Sequence, residues 1–225
     1  MKTRGEAWSA KQPRFAAFLY DKMMGSGAGR DYYQCIARDT LAHLQSGKLL
    51  DVGTGPGRLL EEIAKESQGL ELHGLDISEA MVERARQRLG SKVEVVRASS
   101  TAMPYANGAL DAVVCSGSFY QWDTPVLGLN EIHRVLKPGG IALIYQIYRD
   151  FDEAELKDAI DKELKDSGWI GRQIRKQLLL KQRGMTYTRE EFKEIAGKSR
   201  FAGAFEIEPL VIAGMPGWLR MKLQR

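Results

Sequence analysis

The feature that most constrains this chain is a regular alternation of short apolar runs with amphipathic segments. The apolar runs predict strands at residues 48–52, 71–76, 93–96, 112–115 and 141–147, and the segments between them predict helices at 58–66, 78–89 and 126–136. In this order each strand must return across a face of the sheet, which favours parallel strands with right-handed crossovers. We therefore expect an α/β fold with a doubly wound, mostly parallel sheet, whose ligand lies at the carboxyl ends of the strands.

The flanking segments are expected to complete a single domain of 225 residues. Residues 1–29 predict an N-terminal helical lid with a glycine hinge, and Asp31 is expected to cap a helix that reaches about residue 45. Residues 30–150 form the predicted ligand-binding core, in which Lys137-Pro138-Gly139-Gly140 is expected to separate a helix from strand five. Residues 151–184 predict a helical insertion or second lid. The last part, 185–225, predicts a helix at 188–198 and strands at 205–212 and 218–223, which makes seven strands.

The composition excludes several classes of protein. With 44% hydrophobic and 28% charged residues the chain matches neither disordered nor fibrous proteins. No apolar run approaches the roughly 20 residues that span a bilayer, so a cytoplasmic protein is expected. The only cysteines are Cys35 and Cys115, and Cys115 lies inside an apolar run, so neither a disulfide nor a metal site is expected.

The basic residues of this chain, whose net charge is +4, are not evenly spread. Residues 169–183 contain five basic and no acidic residues, among apolar residues at helical spacing: Arg172, Arg175, Lys176, Lys181 and Arg183. Such a stretch is usually a solvated face, but it also suits contact with an anionic membrane surface or an acidic substrate. Both interpretations stay open.

A carboxylate and three alternating glycines follow the first strand. Asp51 precedes Gly53, Gly55 and Gly57, and the next strand ends in Asp76. The glycines let the backbone approach a ligand closely, and an acid at the end of the second strand is placed to accept hydrogen bonds from a ribose. The third glycine comes one residue too early for a dinucleotide fingerprint, and there is no P-loop. The pattern predicts a nucleoside that carries a cationic group.

Five blocks in this chain resemble the class I S-adenosylmethionine-dependent methyltransferases, in particular the group similar to ubiquinone and menaquinone biosynthesis C-methyltransferases. The blocks, spread over residues 49–145, are Leu49-Leu50-Asp51-Val52-Gly53-Thr54-Gly55-Pro56-Gly57-Arg58, Gly74-Leu75-Asp76-Ile77-Ser78 with Met81, Ala102-Met103-Pro104-Tyr105, Leu110-Asp111-Ala112-Val113-Val114 and Arg134-Val135-Leu136-Lys137-Pro138-Gly139-Gly140. The resemblance implies the Rossmann-like methyltransferase fold, S-adenosylmethionine as cofactor and S-adenosylhomocysteine as product.

The resemblance also implies roles for single residues. The turn residues Gly53, Thr54, Gly55 and Gly57 would hold the methionine part of the cofactor, with Asp51 near its amino group. Asp76 would hold the ribose. The remaining implied cofactor contacts are Ile77 and Met81 on adenine, Ser116 at the methionine end, and Ser99 and Ser100 in place of the acid that many members carry after strand three.

Aromatic residues mark the expected acceptor side. The residues after strand four and after strand five predict contacts with a flat or apolar substrate: Phe119, Tyr120, Gln121, Trp122 and Tyr148. Ordinary loop packing is the alternative interpretation. Gln121 stands where relatives often carry a histidine, which removes one candidate base. Tyr20, with Tyr32 or Tyr33, is expected to fold over the cofactor, although helix packing explains these residues equally well.

Three functional hypotheses follow. The first is in-line methyl transfer to a small, readily deprotonated acceptor, in which catalysis depends on proximity and desolvation and no catalytic residue is assigned. The second is methylation of an RNA or protein docked on residues 169–183. Enzymes that act on base or glutamine amino groups carry an Asn/Asp-Pro-Pro-Tyr arrangement after strand four, and Cys115-Ser116-Gly117-Ser118 lacks it. A nucleic-acid partner is therefore not expected. The third is a cofactor-binding module without catalysis. The expected assembly is a monomer or homodimer.

Overall fold

The computed structural model describes residues 13–25, 27–163 and 183–225. The helices are α1 (Arg14–Met24), α2 (Ala28–His43), α3 (Arg58–Glu66), α4 (Glu79–Leu89), α5 (Pro125–Val135), α6 (Glu153–Glu163) and α7 (Arg189–Gly197). The strands are β1 (Gly47–Val52), β2 (Leu70–Asp76), β3 (Glu94–Arg97), β4 (Leu110–Ser116), β5 (Leu136–Ile147), β6 (Phe205–Ile212) and β7 (Met215–Gln224).

The strands form one seven-stranded sheet in the order β3-β2-β1-β4-β5-β7-β6. All neighbours up to β5 pair in parallel, whereas β7 is antiparallel to both β5 and β6. The predicted fold class is confirmed. The chain order of the strands reverses between β1 and β4, and this reversal opens a crevice at the carboxyl ends of the two strands, where ligands of open α/β sheets bind.

The core lies on both faces of the central strands. Residues 49–52 of β1 and 112–115 of β4 are buried without a break, as expected for strands that helices cover on both sides. On one face, α3 contributes Leu59, Leu60 and Ile63, each at most 1% exposed. The continuous apolar runs in the sequence therefore reflect two-sided burial.

Two local predictions are wrong. Asp31 lies in the first turn of α2 and does not cap it; the residue before the helix is Gly27, with a φ of 50°. The start of strand five is the other: β5 begins at Leu136 rather than at residue 141, although α5 ends at Val135 as the stop signal predicts. Residues 137–140 shift the register between β5 and β4, in which Leu110 pairs with Leu136 and Ala112 with Ile141. The main chain of Gly139 donates to Arg225 O at 2.7 Å, and Arg225 N donates to Gly140 O at 3.0 Å, so pairing with the distant end of the chain extends β5 back to the helix.

The predicted helical insertion is described only in part. Its first part forms α6, and residues 164–182, with all of the predicted basic segment except Arg183, lie outside the described residues. Within the described ranges no helix is long and apolar enough to cross a membrane, and no cluster of three or more histidine, cysteine or acidic residues is arranged to hold a metal ion.

Candidate functional site

The glycine turn connects β1 to α3 at the crevice. Gly53, Gly55 and Gly57 adopt φ angles of 77°, 53° and 79°, a region that only glycine enters freely. The amides of Gly53 and Thr54 both donate to Leu75 O, at 2.8 and 2.9 Å, so the turn is fastened to β2. The sequence therefore folds here into a rigid loop whose shape depends on its glycines.

The three glycines have different surroundings. A methyl group on Gly53 would lie 2.6 Å from the Ser118 Cβ, and one on Gly57 would lie 2.8 Å from the Leu89 Cδ1. A methyl group on Gly55 would meet no atom within 4 Å. Gly53 and Gly57 are thus required by packing inside the protein, whereas Gly55 borders open space in which a ligand can approach the backbone.

Asp76 is held at the end of β2 by main-chain donors. Its Oδ2 accepts from Gly55 N and its Oδ1 from Ser78 N, each at 2.8 Å. Burial raises the pKa of this carboxyl, and the amide donors of Ser78, Gly55 and Ile77 act in the opposite direction. Each carboxylate oxygen has a second lone pair, so the fixed group retains capacity to accept ribose hydroxyls.

Asp51, the other acid of the turn, is 2% exposed, and its Oδ1 has no hydrogen-bond partner. Burial raises its pKa to about 7; the nearby Thr54 hydroxyl opposes this shift, and the negative charge of Asp76 adds to it. A buried carboxylate without a donor is unfavourable unless a cation or donor joins it. The group is therefore suited to a positively charged ligand.

Three tyrosines surround these acids from the helical side. Tyr32 donates from its hydroxyl to Ser116 Oγ at 3.3 Å, and Asp51 is among the charges that raise the pKa of Tyr32 and Tyr33, after burial as the main cause. Tyr20 of α1 is 38% exposed, yet burial of its hydroxyl end raises its pKa; the Tyr33 hydroxyl opposes this and the Asp76 charge adds to it. Each of the three hydroxyls thus lies within electrostatic reach of one of the two acids: Tyr32 and Tyr33 of Asp51, and Tyr20 of Asp76.

A pocket opens at the crevice, between the carboxyl ends of β1 and β2 and the loop that follows β4. The predicted residues that line it are Gly53, Asp76, Ile77, Ser100, Gln121 and Trp122. Four further lining residues did not figure in the sequence predictions: Val52, Leu75, Ala98 and Ser118. Ser118 donates to Val52 O at 3.1 Å and lies 3.1 Å from the Cys115 sulfur. Its only signal in the sequence is its position just after β4.

The other predicted cofactor residues are not among those that line the pocket: Tyr20, Asp51, Thr54, Gly55, Gly57, Met81, Ser99 and Ser116. Met81 is buried against Ala17 and Ala80. Ser99 contacts Thr101, 3.0 Å between the two hydroxyl oxygens, and Ser116 accepts from Tyr32. The cofactor contacts implied for these residues stay predictions.

The predicted acceptor residues separate into two groups. Gln121 and Trp122 line the pocket, and Gln121 donates to the Tyr120 hydroxyl at 3.0 Å. Phe119 is fully buried and stacks on Phe192 with ring centroids 5.7 Å apart. Tyr148 is 7% exposed and lies beneath Arg189. The placement of Phe119 and Tyr148 supports packing rather than the substrate contact expected for them.

Comparison with known proteins agrees with this geometry. A family model described as "Methyltransferase domain" matches residues 50–144, from β1 through β5 and including both acids and the glycine turn. Residues 50–144 therefore match a methyltransferase domain. A solved structure of a putative S-adenosyl-L-methionine-dependent methyltransferase from Methanococcus maripaludis has the same fold as this methyltransferase domain and its flanking elements, with a TM-score of 0.68, 21% identity, and coverage of 96% of this chain and 95% of that one.

Relatives in sequence cover a smaller part of the chain. An uncharacterized methyltransferase, YdaC, of Bacillus subtilis is 34% identical over 48% of this chain and 61% of its own length. A demethylmenaquinone methyltransferase of Deinococcus radiodurans is 31% identical over 60% of this chain and 56% of its own. The chain thus spans less than two thirds of the length of each of these two relatives.

Proposed function

We propose that this chain transfers a methyl group from S-adenosylmethionine to a small-molecule acceptor. The observation that carries the proposal is the pair of buried acids at adjacent strand ends, Asp51 and Asp76, on either side of a turn that is open at Gly55. The resident family domain and the sequence relatives named above support the same conclusion.

The residues fit the chemical groups of the cofactor. Asp51 would bind the ammonium group, because a cation satisfies its unpartnered oxygen and favours its ionised form. Asp76 would accept from the ribose hydroxyls, since its carboxylate is already oriented by Gly55 and Ser78. Ile77 borders the same pocket and offers an apolar contact for adenine. The rings of Tyr20 and Tyr32 would face the cationic end of the ligand.

The protein's own part in the reaction is to orient groups and exclude water. When bound, S-adenosylmethionine supplies an activated methyl group on a sulfonium sulfur. Gln121 and Trp122 would orient the acceptor beside it, since they line the pocket and follow β4, the strand next to β1. The α1 helix, through Tyr20, would shield the site from solvent.

We propose an acceptor with an apolar ring and an acidic hydroxyl, such as a phenol or hydroquinone. The pocket lining contains an aromatic and an amide side chain and neither histidine nor cysteine, which favours an acceptor that loses its proton readily. The relative from Deinococcus radiodurans is named for a demethylated quinone, whose reduced form is a hydroquinone.

Calorimetry with S-adenosylmethionine and S-adenosylhomocysteine tests the cofactor. Asp76→Ala is expected to weaken binding by roughly 1.5–3 kcal/mol, the scale of hydrogen bonds to a charged group. Asp111→Ala is the matched control, because Asp111 lies at the opposite end of β4, where it pairs with Lys137. Absence of binding to the unaltered protein would refute the proposal, and equal affinities of the two variants would remove Asp76 from the site.

Turnover is tested separately with isotope-labelled cofactor and a panel of phenols, hydroquinones and thiols. Label is expected in the ring hydroxyl or adjacent ring carbon of at least one phenolic acceptor. Tight cofactor binding without label transfer to any member would instead support a cofactor-binding module.

A further inference from the structure

One buried acid on α1 is surrounded by arginines. Asp21 is 8% exposed, and its carboxylate oxygens lie 2.7 Å from Arg58 Nε, 3.3 Å from Arg84 Nη1 and 2.9 Å from Arg88 Nη2. Arg58 also donates to the main-chain oxygen of Asp21 at 2.7 Å. We call these four residues the Asp21 cluster. It joins residues that are 37 to 67 positions apart in sequence.

The arginines of the Asp21 cluster belong to the cofactor-binding turn and its supports. Arg58 is the first residue of α3, directly after Gly57. Arg88 of α4 donates to Pro56 O within the turn, and its Nε lies 3.4 Å from Glu61 of α3. The carboxylate of Asp21 therefore connects the N-terminal helix to the same loop that would hold the cofactor.

Other attachments of α1 to the domain include Arg84, which lies over the Phe18 ring at 5.0 Å, and Met24, which packs against the core. Ala17 packs on Ala80 and Met81, whereas Phe15, Phe18 and Leu19 are 70%, 46% and 49% exposed. Little of the apolar surface of α1 is buried, so its buried ion pairs contribute to its position, whereas an exposed pair contributes little. Without Asp21, the three arginines would remain close together, and their like charges would repel one another in a partly buried place.

Tyr20 precedes Asp21 on α1, so an ion pair that fixes Asp21 also fixes the backbone from which Tyr20 projects. We infer that Asp21 is a positioning residue that fixes α1 to the cofactor-binding turn and so holds Tyr20 over the site. Cofactor in the turn and closure of α1 are then coupled, because both involve the loop that Arg58 and Arg88 support. The identity of the ligand rests on the proposed function; the attachment of α1 does not.

The test compares Asp21→Asn with Arg14→Gln, a control on the same helix that removes an exposed ion pair with Glu83. Dissociation of S-adenosylhomocysteine, followed by stopped-flow fluorescence, is expected to become about tenfold faster in Asp21→Asn, within the usual range of coupling between sites. Arg14→Gln is expected to leave the rate unchanged. Tyr20→Phe alone should also speed dissociation, and adding it to Asp21→Asn should have little further effect, because Asp21 acts through Tyr20.

A second measurement does not need the ligand. Hydrogen exchange of the α1 amides is expected to be faster in Asp21→Asn and unchanged in Arg14→Gln. Arg84→Gln, which leaves Arg58 and Arg88 on Asp21, should give a smaller increase and serves if Asp21→Asn does not fold. Unchanged exchange and unchanged dissociation in both Asp21→Asn and Arg84→Gln would overturn the inference. If the unaltered protein binds no cofactor, the proposed function fails while exchange still decides how α1 is attached.

Discussion

The two halves of the site are built differently. The proposed cofactor half consists of residues 51–57 and the end of β2, and it is organised by main-chain hydrogen bonds between neighbouring elements, such as those that Gly55 and Ser78 donate to Asp76. The proposed acceptor half consists of residues 116–122, at and after the end of β4. Its side chains are supported from distant elements, as when Phe119 stacks on Phe192 of α7.

Because of this difference, we expect the two halves to differ in how many substitutions they tolerate. A site made of backbone donors and glycine conformations tolerates few substitutions, since the required φ angles and close contacts leave no alternative. A site made of side chains on a packed loop can change its lining while the fold persists. We therefore expect substitutions in the cofactor half to have the larger effects, and those in the acceptor half to change selectivity.

The largest effect is expected at the contact between the two halves. In Gly53→Ala the new methyl group meets Ser118 and the residue keeps a φ of 77°, so the free energy of unfolding should fall by about 3 kcal/mol. Urea denaturation measures it. In the matched variant Gly55→Ala the methyl group enters open space, so only about 1 kcal/mol of backbone strain is expected.

For cofactor affinity, the variant that has the smaller effect on stability, Gly55→Ala, is expected to have the direct effect. Gly55→Ala is expected to weaken binding of S-adenosylhomocysteine at least about tenfold, because its methyl group fills the space that the ligand approaches. Equal stability losses in the two variants, or unimpaired binding by Gly55→Ala, would contradict the distinction drawn between these glycines.

Asp51→Asn is expected to have the next largest effect. In the unaltered protein the Asp51 pKa of about 7 means that cofactor affinity should rise as the pH increases from 5.5 to 7.5, because the ionised form binds the ammonium group. The variant should lose about 2 kcal/mol of binding free energy at pH 7.5 and most of this pH dependence. Calorimetry across the pH series checks both. A variant that keeps the original pH profile would place the titrating group elsewhere.

The same substitution should affect stability with the opposite sign. Because the folded-state pKa of Asp51 lies above its unfolded value, the protonated form stabilises the fold fully below about pH 4, and this contribution is lost as the pH rises through about 7. Asp51→Asn should therefore raise the free energy of unfolding by roughly 1–3 kcal/mol at pH 8 and by less at pH 5. Such an exchange of stability for affinity is typical of binding sites.

The same contrast explains how far the sequence predicts the structure. Helix α3 and strand β6 have the predicted bounds, and both acids lie at the ends of their strands, since these features follow from local periodicity and turn residues. Phe119 is buried because Phe192 and Tyr187, some 70 positions later, pack against it. Nothing near Asp21 in the sequence indicates that Arg58, Arg84 and Arg88 contact it. Long-range packing thus accounts for the burial of Phe119 and for the Asp21 cluster, which local sequence could not reveal.

The smallest effect is expected in the acceptor half, with Gln121→Ala. Gln121 lines the pocket and donates to the Tyr120 hydroxyl, on the acceptor side proposed above. The acceptor KM should rise by a few fold, about 1 kcal/mol or less, as for one neutral hydrogen bond, while the affinity for S-adenosylhomocysteine stays the same. Steady-state kinetics with a phenolic acceptor, together with calorimetry, separates the two quantities. A loss of cofactor affinity without a change in the acceptor KM would assign Gln121 to the cofactor half. The boundary between the two halves would then lie beyond residue 121, and not at the contact of Gly53 with Ser118.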